Sequence, residues 1–306
     1  MEGYHKSVLL DEVLEYLAVE SGKWYIDCTL GDGGHSLEIL RLEGKVIGID
    51  TDQEALERTR ERFKKLGIEQ KDFKLIKGNF RDLKNLIQSA FGRDEQTDTD
   101  QIEIAGILFD FGVSSLQLMS PERGFSFTQI GPLDMRMDKS LGVTAADLLN
   151  ALNKGELYEL FNKMGEERLA RPLAEAVIRS REIKQFENTK QLADLVADIY
   201  RRFKVNPGKI HPATKVFQAL RIAVNDELGV IQDALPQALE IVKEEGRVIA
   251  ISFHSLEDRI VKQTFNDWEE KGLGKVLTDK VVTPTEEEIE KNPRSRSAKL
   301  RAFKKT

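Results

Sequence analysis

The sequence predicts an α/β fold in which a mainly parallel sheet is interrupted by an all-helical domain. Short apolar runs alternate with helix-like segments as far as Asp110, which is typical of strands joined by crossover helices. Residues 144–203 then carry consecutive helical patterns with no strand between them. A strand-like run returns at residues 247–252. An alternation that stops and later resumes predicts a discontinuous sheet domain with an inserted helical one.

Composition agrees with a globular protein of one large or two modest domains, since the chain has 306 residues with 40% hydrophobic and 32% charged residues. No stretch approaches the ~18 apolar residues that a membrane span needs. The N-terminal residues lack a basic segment leading into an apolar one, so we expect no signal peptide. The single cysteine, Cys28, excludes an internal disulfide and a cysteine-built zinc site. We therefore expect a cytoplasmic protein without a metal site.

The first part of the chain contains four strand–helix repeats. A helix is predicted over residues 7–18, capped by Ser7. The four strand-like runs begin at Tyr25, Lys45, Phe73 and Ile102. Since parallel strands place their carboxyl ends at one edge of a sheet, the residues that follow these runs should converge there. They are the turn at 31–34, Asp50, Asn79–Phe80 and Asp110.

The first strand-like run leads into a glycine turn. Gly31, Gly33 and Gly34 end the run, and a helix-like segment follows from Ser36. Glycine has no Cβ, so backbone at such a turn can approach a ligand closely. The next run ends at Asp50, where a carboxylate can accept hydrogen bonds from both ribose hydroxyls. The two features together predict a nucleoside-cofactor site.

The details of the turn favour S-adenosylmethionine (SAM) over other nucleoside cofactors. Ser36 stands where a dinucleotide fingerprint has its third glycine, and no Gly-Lys-Ser/Thr of a phosphate-binding loop follows. Asp27 before the glycines and Asp32 among them suit a cofactor that carries an ammonium and a sulfonium. Two alternatives stay open from these residues alone: a nicotinamide-dependent oxidoreductase, and a tight strand-to-helix turn with no ligand.

The chain changes character after Asp110. Residues 111–138 form a long glycine-rich segment with aromatic and methionine residues, and loops of that length are usually functional when they are not disordered. Helices follow as far as residue 203, and a further helical stretch is predicted over 213–242. The strand at 247–252 then ends beside His254, and residues 276–282 and 299–303 are predicted as closing edge strands.

Charge is unevenly distributed along a chain whose net charge is −6. Residues 199–225 and residues 291–306 are both rich in lysine and arginine and contain no acid. Local basic surfaces of this kind are typical of proteins that contact phosphates. Solvated helix faces and a frayed tail are the alternative interpretation of either window.

Seven motifs, spread in order over nearly the whole chain, resemble one family. They are Gly31-Asp-Gly-Gly-His-Ser36, Asp110-Phe-Gly-Val-Ser-Ser-Leu-Gln117, Arg123-Gly-Phe-Ser-Phe127, Gly131-Pro-Leu-Asp-Met-Arg-Met-Asp138, His211-Pro-Ala-Thr214, Phe217-Gln-Ala-Leu-Arg-Ile-Ala-Val-Asn225 and Ser252-Phe-His-Ser-Leu-Glu-Asp-Arg259. Together they resemble the bacterial small-subunit ribosomal RNA cytosine-N4 methyltransferases, the RsmH or MraW type. Each motif alone is a weak signal, whereas seven in the same order are strong.

The resemblance implies a Rossmann-like, class I SAM-dependent methyltransferase domain over residues 1–118 and 211–306. It implies an inserted helical domain over 119–210 that takes part in RNA recognition. The implied reaction is methyl transfer to the exocyclic amine of one decoding-centre cytidine of 16S ribosomal RNA. Whether the substrate is free RNA, the small subunit or an assembly intermediate stays open, as does a monomeric or homodimeric state. A non-catalytic RNA-binding assembly factor is the alternative.

The family's cofactor positions carry over to seven residues of this chain. They are Gly33, Gly34, His35, Asp50, Phe80, Asp110 and Gln117. One departure concerns the catalytic positions, because many amino-methyltransferases place Asp/Asn/Ser-Pro-Pro-aromatic after the fourth strand. This chain has Asp110-Phe-Gly-Val113 there. The proline-stiffened carbonyl that accepts the amine proton in those enzymes is therefore missing.

Two residues are candidates for catalysis. A cytosine amine needs an acceptor for its N–H groups while it attacks, and Asp110 is our candidate, with binding of the methionine ammonium as its alternative role. His254 is a candidate for orienting the base or a phosphate, or else it caps the helix that follows. Candidates for substrate binding include rings that could stack on a flipped base, a hydroxyl, and arginines that could hold phosphates. They are Phe111, Phe125, Phe127, Ser114, Arg136 and Arg221.

Overall fold

The computed structural model describes residues 7–91, 103–208 and 210–306, and it divides into two compact units. The sheet unit consists of residues 1–112 with 228–306, and the helical unit consists of residues 113–227. The predicted start of the fourth strand at Ile102 lies outside the described residues. A discontinuous domain with one insertion is thus the organisation of the chain.

The sheet unit is built on one seven-stranded sheet. Its strands are β1 (Trp24–Asp27), β2 (Lys45–Asp50), β3 (Phe73–Lys77), β4 (Ile104–Asp110), β5 (Val242–Ser252), β6 (Gly274–Val276) and β7 (Lys299–Lys305). The spatial order is β3-β2-β1-β4-β5-β7-β6. The first five strands run parallel, while β7 is antiparallel to both β5 and β6 and lies between them. The predicted Rossmann-like α/β fold class is confirmed.

Helices cover both faces of this sheet. They are α1 (Leu10–Leu17), α2 (Gly34–Arg41), α3 (Gln53–Lys65) and α4 (Leu83–Ala90), with α11 (Glu227–Ile241), α12 (Ser255–Glu270) and α13 (Glu286–Lys291) after the helical unit. Adjacent strand residues point to opposite faces, so Ile26 and Ile107 belong to one apolar cluster and Tyr25 and Leu108 to the other. Burial on both faces explains why β4 is apolar from Ile104 to Phe109.

Three local predictions need correction. The first helix begins at Leu10 with no side-chain cap, because Leu9 takes a left-handed conformation (φ 51°) and donates its N–H to Glu288 Oε1 instead. The predicted helix over 213–242 is two helices, since Asp226 is left-handed (φ 48°) between them. The predicted edge strand at 276–282 shortens to β6, and Val282 adds only an isolated bridge to Leu300.

The helical unit is a set of packed helices around its own core. They are α5 (Ser115–Met119), α6 (Ala145–Ala151), α7 (Lys154–Glu159), α8 (Ala170–Ile183), α9 (Thr189–Arg202) and α10 (Thr214–Asn225), with a π-helical turn after α7. The predicted insert, 119–210, lies within this unit, which is longer at both ends. The C-terminal extension has a packing cause, because Val216, Phe217 and Leu220 of α10 are buried in the helical core.

The long segment after Asp110 is ordered by backbone hydrogen bonds inside the helical unit. The N–H of Met135 donates to the carbonyl of Arg123 at 3.0 Å. Asn225, at the end of α10, donates to the Met135 carbonyl and accepts from the Met137 N–H. The motifs at 123–127 and 131–138 are therefore joined to each other and to α10. Among the described residues, no helix combines the length and the hydropathy that crossing a membrane requires.

Candidate cofactor and catalytic site

The carboxyl end of β1 is fixed by Asp27, whose side chain is 1% exposed. Its two oxygens accept hydrogen bonds from Ser36 Oγ at 2.7 Å and from the Thr29 N–H at 3.1 Å. Burial raises the pKa of this carboxyl group, and the nearby His35 opposes the rise. Asp27 therefore ties the end of β1 to the first turn of α2, which sets the direction of the glycine turn between them.

The side chains of Asp50 and Thr59 hold the backbone of the glycine turn at Gly31. The Gly31 N–H donates to Asp50 Oδ2 at 2.8 Å, and the Gly31 carbonyl accepts from Thr59 Oγ1 at 2.9 Å. Gly33 has φ 68°, and a Cβ at that position would lie 2.6 Å from Thr59 Cγ2. Both the backbone conformation and the close approach of α3 therefore require glycine at position 33.

Asp50 lies at the end of β2 with both carboxylate oxygens engaged. Besides the Gly31 contact, Oδ1 accepts from the Asp52 N–H at 2.9 Å. Burial raises the pKa of Asp50 to about 6, and the two backbone N–H groups oppose that rise. Each carboxylate oxygen can accept a second hydrogen bond, so these contacts still leave acceptor capacity for hydroxyl groups. The predicted ribose acid is thus also a positioning residue for the glycine turn.

Asp110 ends β4 and carries a buried oxygen that has no hydrogen-bond partner within the described chain. That oxygen is Oδ1, while Oδ2 lies 3.8 Å from His35 Nδ1. The Asp110 N–H donates to Thr29 Oγ1 at 2.7 Å, which fixes the backbone. Burial raises the pKa of Asp110 to about 7, with His35 opposing and Asp27 and Glu257 adding to the rise. A buried acceptor without a donor is costly, so its presence indicates a place where a ligand donates.

His35 lies between Asp110 and the segment before α1. The ring is 5% exposed, and its Nε2 is 2.9 Å from the carbonyl oxygen of Val8. Because a carbonyl can only accept, Nε2 carries the proton, and this leaves Nδ1 of the neutral ring as an acceptor that faces Asp110. No sequence signal pointed to Val8, which lies 27 residues before His35.

Three phenylalanines pack beneath the end of β4. The rings of Phe109 and Phe111 are stacked, with centroids 5.6 Å apart and an angle of 29° between planes. Phe80 contacts Phe109 edge-on at 5.6 Å and is only partly buried. Phe111 is 4% exposed, so its ring is a core residue and cannot stack on a base as predicted. The cofactor candidate of the three, Phe80, keeps an accessible surface.

His254 begins α12. Its Nδ1 accepts from the Glu257 N–H at 3.3 Å, and Glu257 Oε2 accepts from the His254 N–H at 3.3 Å. This reciprocal pair is a capping box, which is the alternative role considered for His254 above. The geometry gives His254 a structural task at the end of β5, next to the edge where Asp110 lies.

The remaining predicted site residues lie in the helical unit, where most have internal partners. Ser114 and Gln117 cap α5 reciprocally, at 3.2 Å and 3.1 Å. Arg136 donates to both oxygens of Asp134 and to two backbone carbonyls. Arg221 donates to both oxygens of Glu227. Both arginines therefore have ion pairs or carbonyl contacts that hold loops and a helix junction, and their phosphate role stays a prediction.

The two other predicted stacking residues are also engaged. Phe125 is 7% exposed within the helical core. Phe127 stacks on His211 with centroids 4.5 Å apart, and it contacts Phe217 edge-on at 5.0 Å. Both rings therefore join loop and helix inside the unit, which is the packing alternative to base stacking.

The sheet unit brings together six of the predicted cofactor residues and one predicted catalytic acid. The six are Gly33, Gly34, His35, Asp50, Phe80 and Asp110, and the acid is again Asp110. Sequence reasoning missed Thr29 and Thr59, whose hydroxyls fix the backbone of Asp110 and Gly31. Of these two threonines, only Thr29 could have been predicted from the sequence, because it stands two residues after Asp27, the acid at the end of β1.

Comparison with known proteins gives a consistent family. The model of the MraW methylase family matches residues 2–306. A relative from Coprothermobacter proteolyticus, named Ribosomal RNA small subunit methyltransferase H, is 47% identical over 305 residues, covering 98% of this chain and 96% of its own. Relatives of the same name from Sulfurihydrogenibium azorense and Carboxydothermus hydrogenoformans are 45% and 42% identical. They cover 98% and 100% of this chain, and 99% of their own chains in both cases.

Proposed function

The chain belongs to the MraW methylase family, and from this we propose that it methylates the N4 amine of a cytidine in 16S ribosomal RNA, with SAM as the methyl donor. The relatives' shared name supports small-subunit ribosomal RNA as the substrate class. The observation in the structure that carries the chemistry is the buried Asp110 oxygen without a donor, one strand away from the glycine turn.

The residues at the sheet edge fit SAM. Asp110 offers a buried carboxylate oxygen for a cationic or N–H group, and Asp50 offers acceptor capacity for ribose hydroxyls. Gly31 leaves room beside its backbone, since a Cβ there would meet only the Thr29 carbonyl, at 3.9 Å. We assign Gly33, Gly34, His35 and Phe80 to the same site, while the cofactor role of Gln117 stays a prediction from the resemblance. When bound, SAM supplies an electrophilic methyl group on its sulfonium.

We assign Asp110 as the group that accepts hydrogen bonds from the cytosine amine. A cytosine amine donates N–H hydrogen bonds, and an acceptor that is already in place stabilises the positive charge that develops on nitrogen. Once methylation has made that nitrogen acidic, its proton can pass to Asp110 Oδ1. A pKa near 7 suits this task, because efficient acid–base groups have a pKa close to the working pH. The other oxygen of the same carboxylate lies 3.8 Å from His35 Nδ1, and the His35 ring is oriented by the contact of its Nε2 with the Val8 carbonyl. His254 contributes by fixing the start of α12.

RNA recognition is assigned to the helical unit. It contains the acid-free basic window over 199–225, and contacts to phosphates supply most of the affinity in protein–RNA complexes. Its predicted loops are well ordered by internal hydrogen bonds, so it can present those side chains on a rigid support. We place the reaction in the cytoplasm, where ribosomal subunits are assembled.

A methyl-transfer assay tests the proposal. Small subunits lacking the modification, free 16S RNA and assembly intermediates are each incubated with the protein and tritiated SAM, and the labelled base is then mapped. We expect label on N4 of one cytidine, in one substrate form more than in the others, and far less label with Asp110→Asn at the same protein concentration and reaction time. Label on another base or another atom would contradict the proposed target, and SAM binding without any label would favour a binding protein over an enzyme.

A further inference from the structure

The end of α9 carries an unusual side chain. Phe203 is 54% exposed, and among the described residues no other Phe, Tyr or Trp has an exposed side chain. Every other phenylalanine considered above for stacking is engaged in the protein. A single exposed apolar side chain is common on protein surfaces, so what distinguishes Phe203 is the rigid backbone that presents it and the cationic residues next to it.

The backbone that presents Phe203 is fixed. The Phe203 N–H donates to the Ile199 carbonyl at 3.0 Å, and Lys204 has a left-handed conformation (φ 53°) that ends the helix. The Val205 N–H returns to the carbonyl of Tyr200 at 3.0 Å. Tyr200 is itself held inside the unit, where its hydroxyl donates to the buried carboxylate of Glu167 at 2.8 Å. The ring is thus attached to a rigid turn rather than to a loose end.

Two cationic residues stand on either side of Phe203 in the sequence. Arg202 and Lys204 are exposed, and within the described chain neither side chain has a hydrogen-bond or ion-pair partner. Arg201, by contrast, pairs with Asp198 at 2.9 Å. The negative end of the helix dipole accounts for cations at this position, but it does not account for an exposed ring between them. No acid occurs between residues 199 and 225 to compete for the two charges.

We propose that the Arg202–Phe203–Lys204 surface binds a single-stranded segment of RNA, with a base stacked on Phe203 and its flanking phosphates held by the two cations. Unpaired bases have free π-faces, and aromatic stacking combined with basic residues is the common way to bind them. The positive charge of the surface favours a polyanion over a protein partner. This inference rests on the proposed function for its choice of RNA, and it assigns the contact to residues that the resemblance did not indicate.

The first test measures RNA affinity for the full chain. The probe is a fluorescein-labelled oligouridine of about 12 nucleotides, within the site sizes of known single-strand binders, and binding is followed by anisotropy. Phe203→Ala should weaken binding about 5- to 150-fold, the range for losing one stacked base. Ile183→Ala is the matched control, because Ile183 is 90% exposed at the end of α8 in the same unit. It should leave the affinity unchanged.

A second test detects stacking directly. Phe203→Trp should bind as well as the wild type, and oligouridine should quench its fluorescence, with the wild-type signal from Trp24 and Trp268 of the sheet unit as the baseline. Arg202→Gln or Lys204→Gln should each lower the slope of log affinity against log salt by about 0.7, the value for one phosphate contact on a single strand. Lys190→Gln on the same helix is the control, since Lys190 already pairs with Asp194.

The outcomes separate this inference from the proposed function. Unchanged affinity in Phe203→Ala together with no quenching in Phe203→Trp would overturn the stacking surface, even if the wild type methylates small subunits as proposed. Weaker binding and quenching would support the surface, even if the wild type transfers no methyl group to any ribosomal substrate. Equal losses in Phe203→Ala and Ile183→Ala would also overturn it, because they would show a general effect of removing apolar surface.

Discussion

Replacing Asp110 by asparagine should make the sheet unit less sensitive to pH. The carboxyl group is buried beside Asp27 and Glu257, and one of its oxygens has no donor, so its charged form is disfavoured. Its pKa is raised from 3.8 to about 7 in the folded protein. Asparagine has nearly the same shape and carries no charge at any pH. The comparison of the two proteins therefore isolates the cost of this one charge.

The direction in which stability changes with pH follows from the difference in proton binding between the folded and unfolded protein. Between pH 3.8 and about 7 the folded protein keeps the Asp110 proton that the unfolded chain has lost, so stability falls as pH rises through that window and levels off above it. Each pH unit well inside the window costs 1.36 kcal/mol, and because the folded carboxyl group is half ionised at pH 7, the step from pH 5 to pH 7 costs about 2.3 kcal/mol. Asp50 also titrates, but no interaction couples it to Asp110, so its contribution cancels in the difference.

Urea unfolding of the ligand-free protein at pH 5 and pH 8 measures this effect. Tryptophan fluorescence reports the sheet unit alone, because Trp24 and Trp268 both lie there. We expect Asp110→Asn to gain roughly 2–3 kcal/mol relative to wild type on going from pH 5 to pH 8. A difference between the two proteins that does not change with pH would refute the reasoning, since it would show that Asp110 is ionised normally in the folded state.

The same variant tests catalysis. If Asp110 receives the amine, Asp110→Asn should lower the single-turnover rate of methyl transfer by roughly 10²–10³, the cost of losing one preorganised hydrogen-bonding group. The rate should stay low at saturating SAM. Full recovery of the rate at saturating SAM would instead make Asp110 a cofactor ligand only.

Three further predictions concern stability and binding. Asp50→Ala should weaken SAM binding by about 1–3 kcal/mol by calorimetry, because it removes charge-assisted hydrogen bonds, and unchanged affinity would contradict the ribose assignment. Gly33→Ala should destabilise the sheet unit by at least about 1 kcal/mol more than Gly22→Ala, since both glycines have positive φ but only Gly33 has neighbours within 4 Å of a Cβ; equal losses would contradict this. Tyr200→Phe should cost about 1–3 kcal/mol in thermal unfolding of the helical unit, because Glu167, which is 2% exposed, loses the hydroxyl donor and keeps only the Leu169 N–H; no loss would contradict a structural role for the hydroxyl contact.

The sequence was sufficient for features that depend on local pattern. The acids at strand ends and the glycine turn were predictable from the sequence. Parallel pairing of β1, β2 and β4 then places Asp27, Asp50 and Asp110 at the carboxyl edge of the sheet. Contacts between residues that are far apart in the sequence could not be predicted from it. The αL conformation of Leu9 depends on Glu288, which lies 279 residues away and leaves no trace near Leu9. The tautomer of His35 depends on Val8 in the same way.

Residue type alone also overstated which side chains are available. Arginines and phenylalanines in glycine-rich motifs looked like substrate contacts, yet Arg136 and Arg221 are held by carboxylates and Phe111 is in the core. Glu227 lies six residues after Arg221 and is its bidentate partner. The sequence does not distinguish such a partner from a solvated acid, because the pairing depends on the helix junction at Asp226. Availability is a property of packing, and it explains why Phe203 became visible only in the structure.

The position of β7 has a consequence for the order in which the sheet can be completed during translation. β6 is synthesised before β7, although β7 is the strand that joins β6 to β5 in the sheet. Until β7 is available, β5 presents an open edge and β6 has no strand to pair with. An exposed strand edge is a template for pairing with other chains, so the nascent protein has a period of aggregation risk that ends when β7 inserts. A chaperone that binds extended segments would be most useful in that interval, and slower synthesis of residues 277–298 would lengthen it.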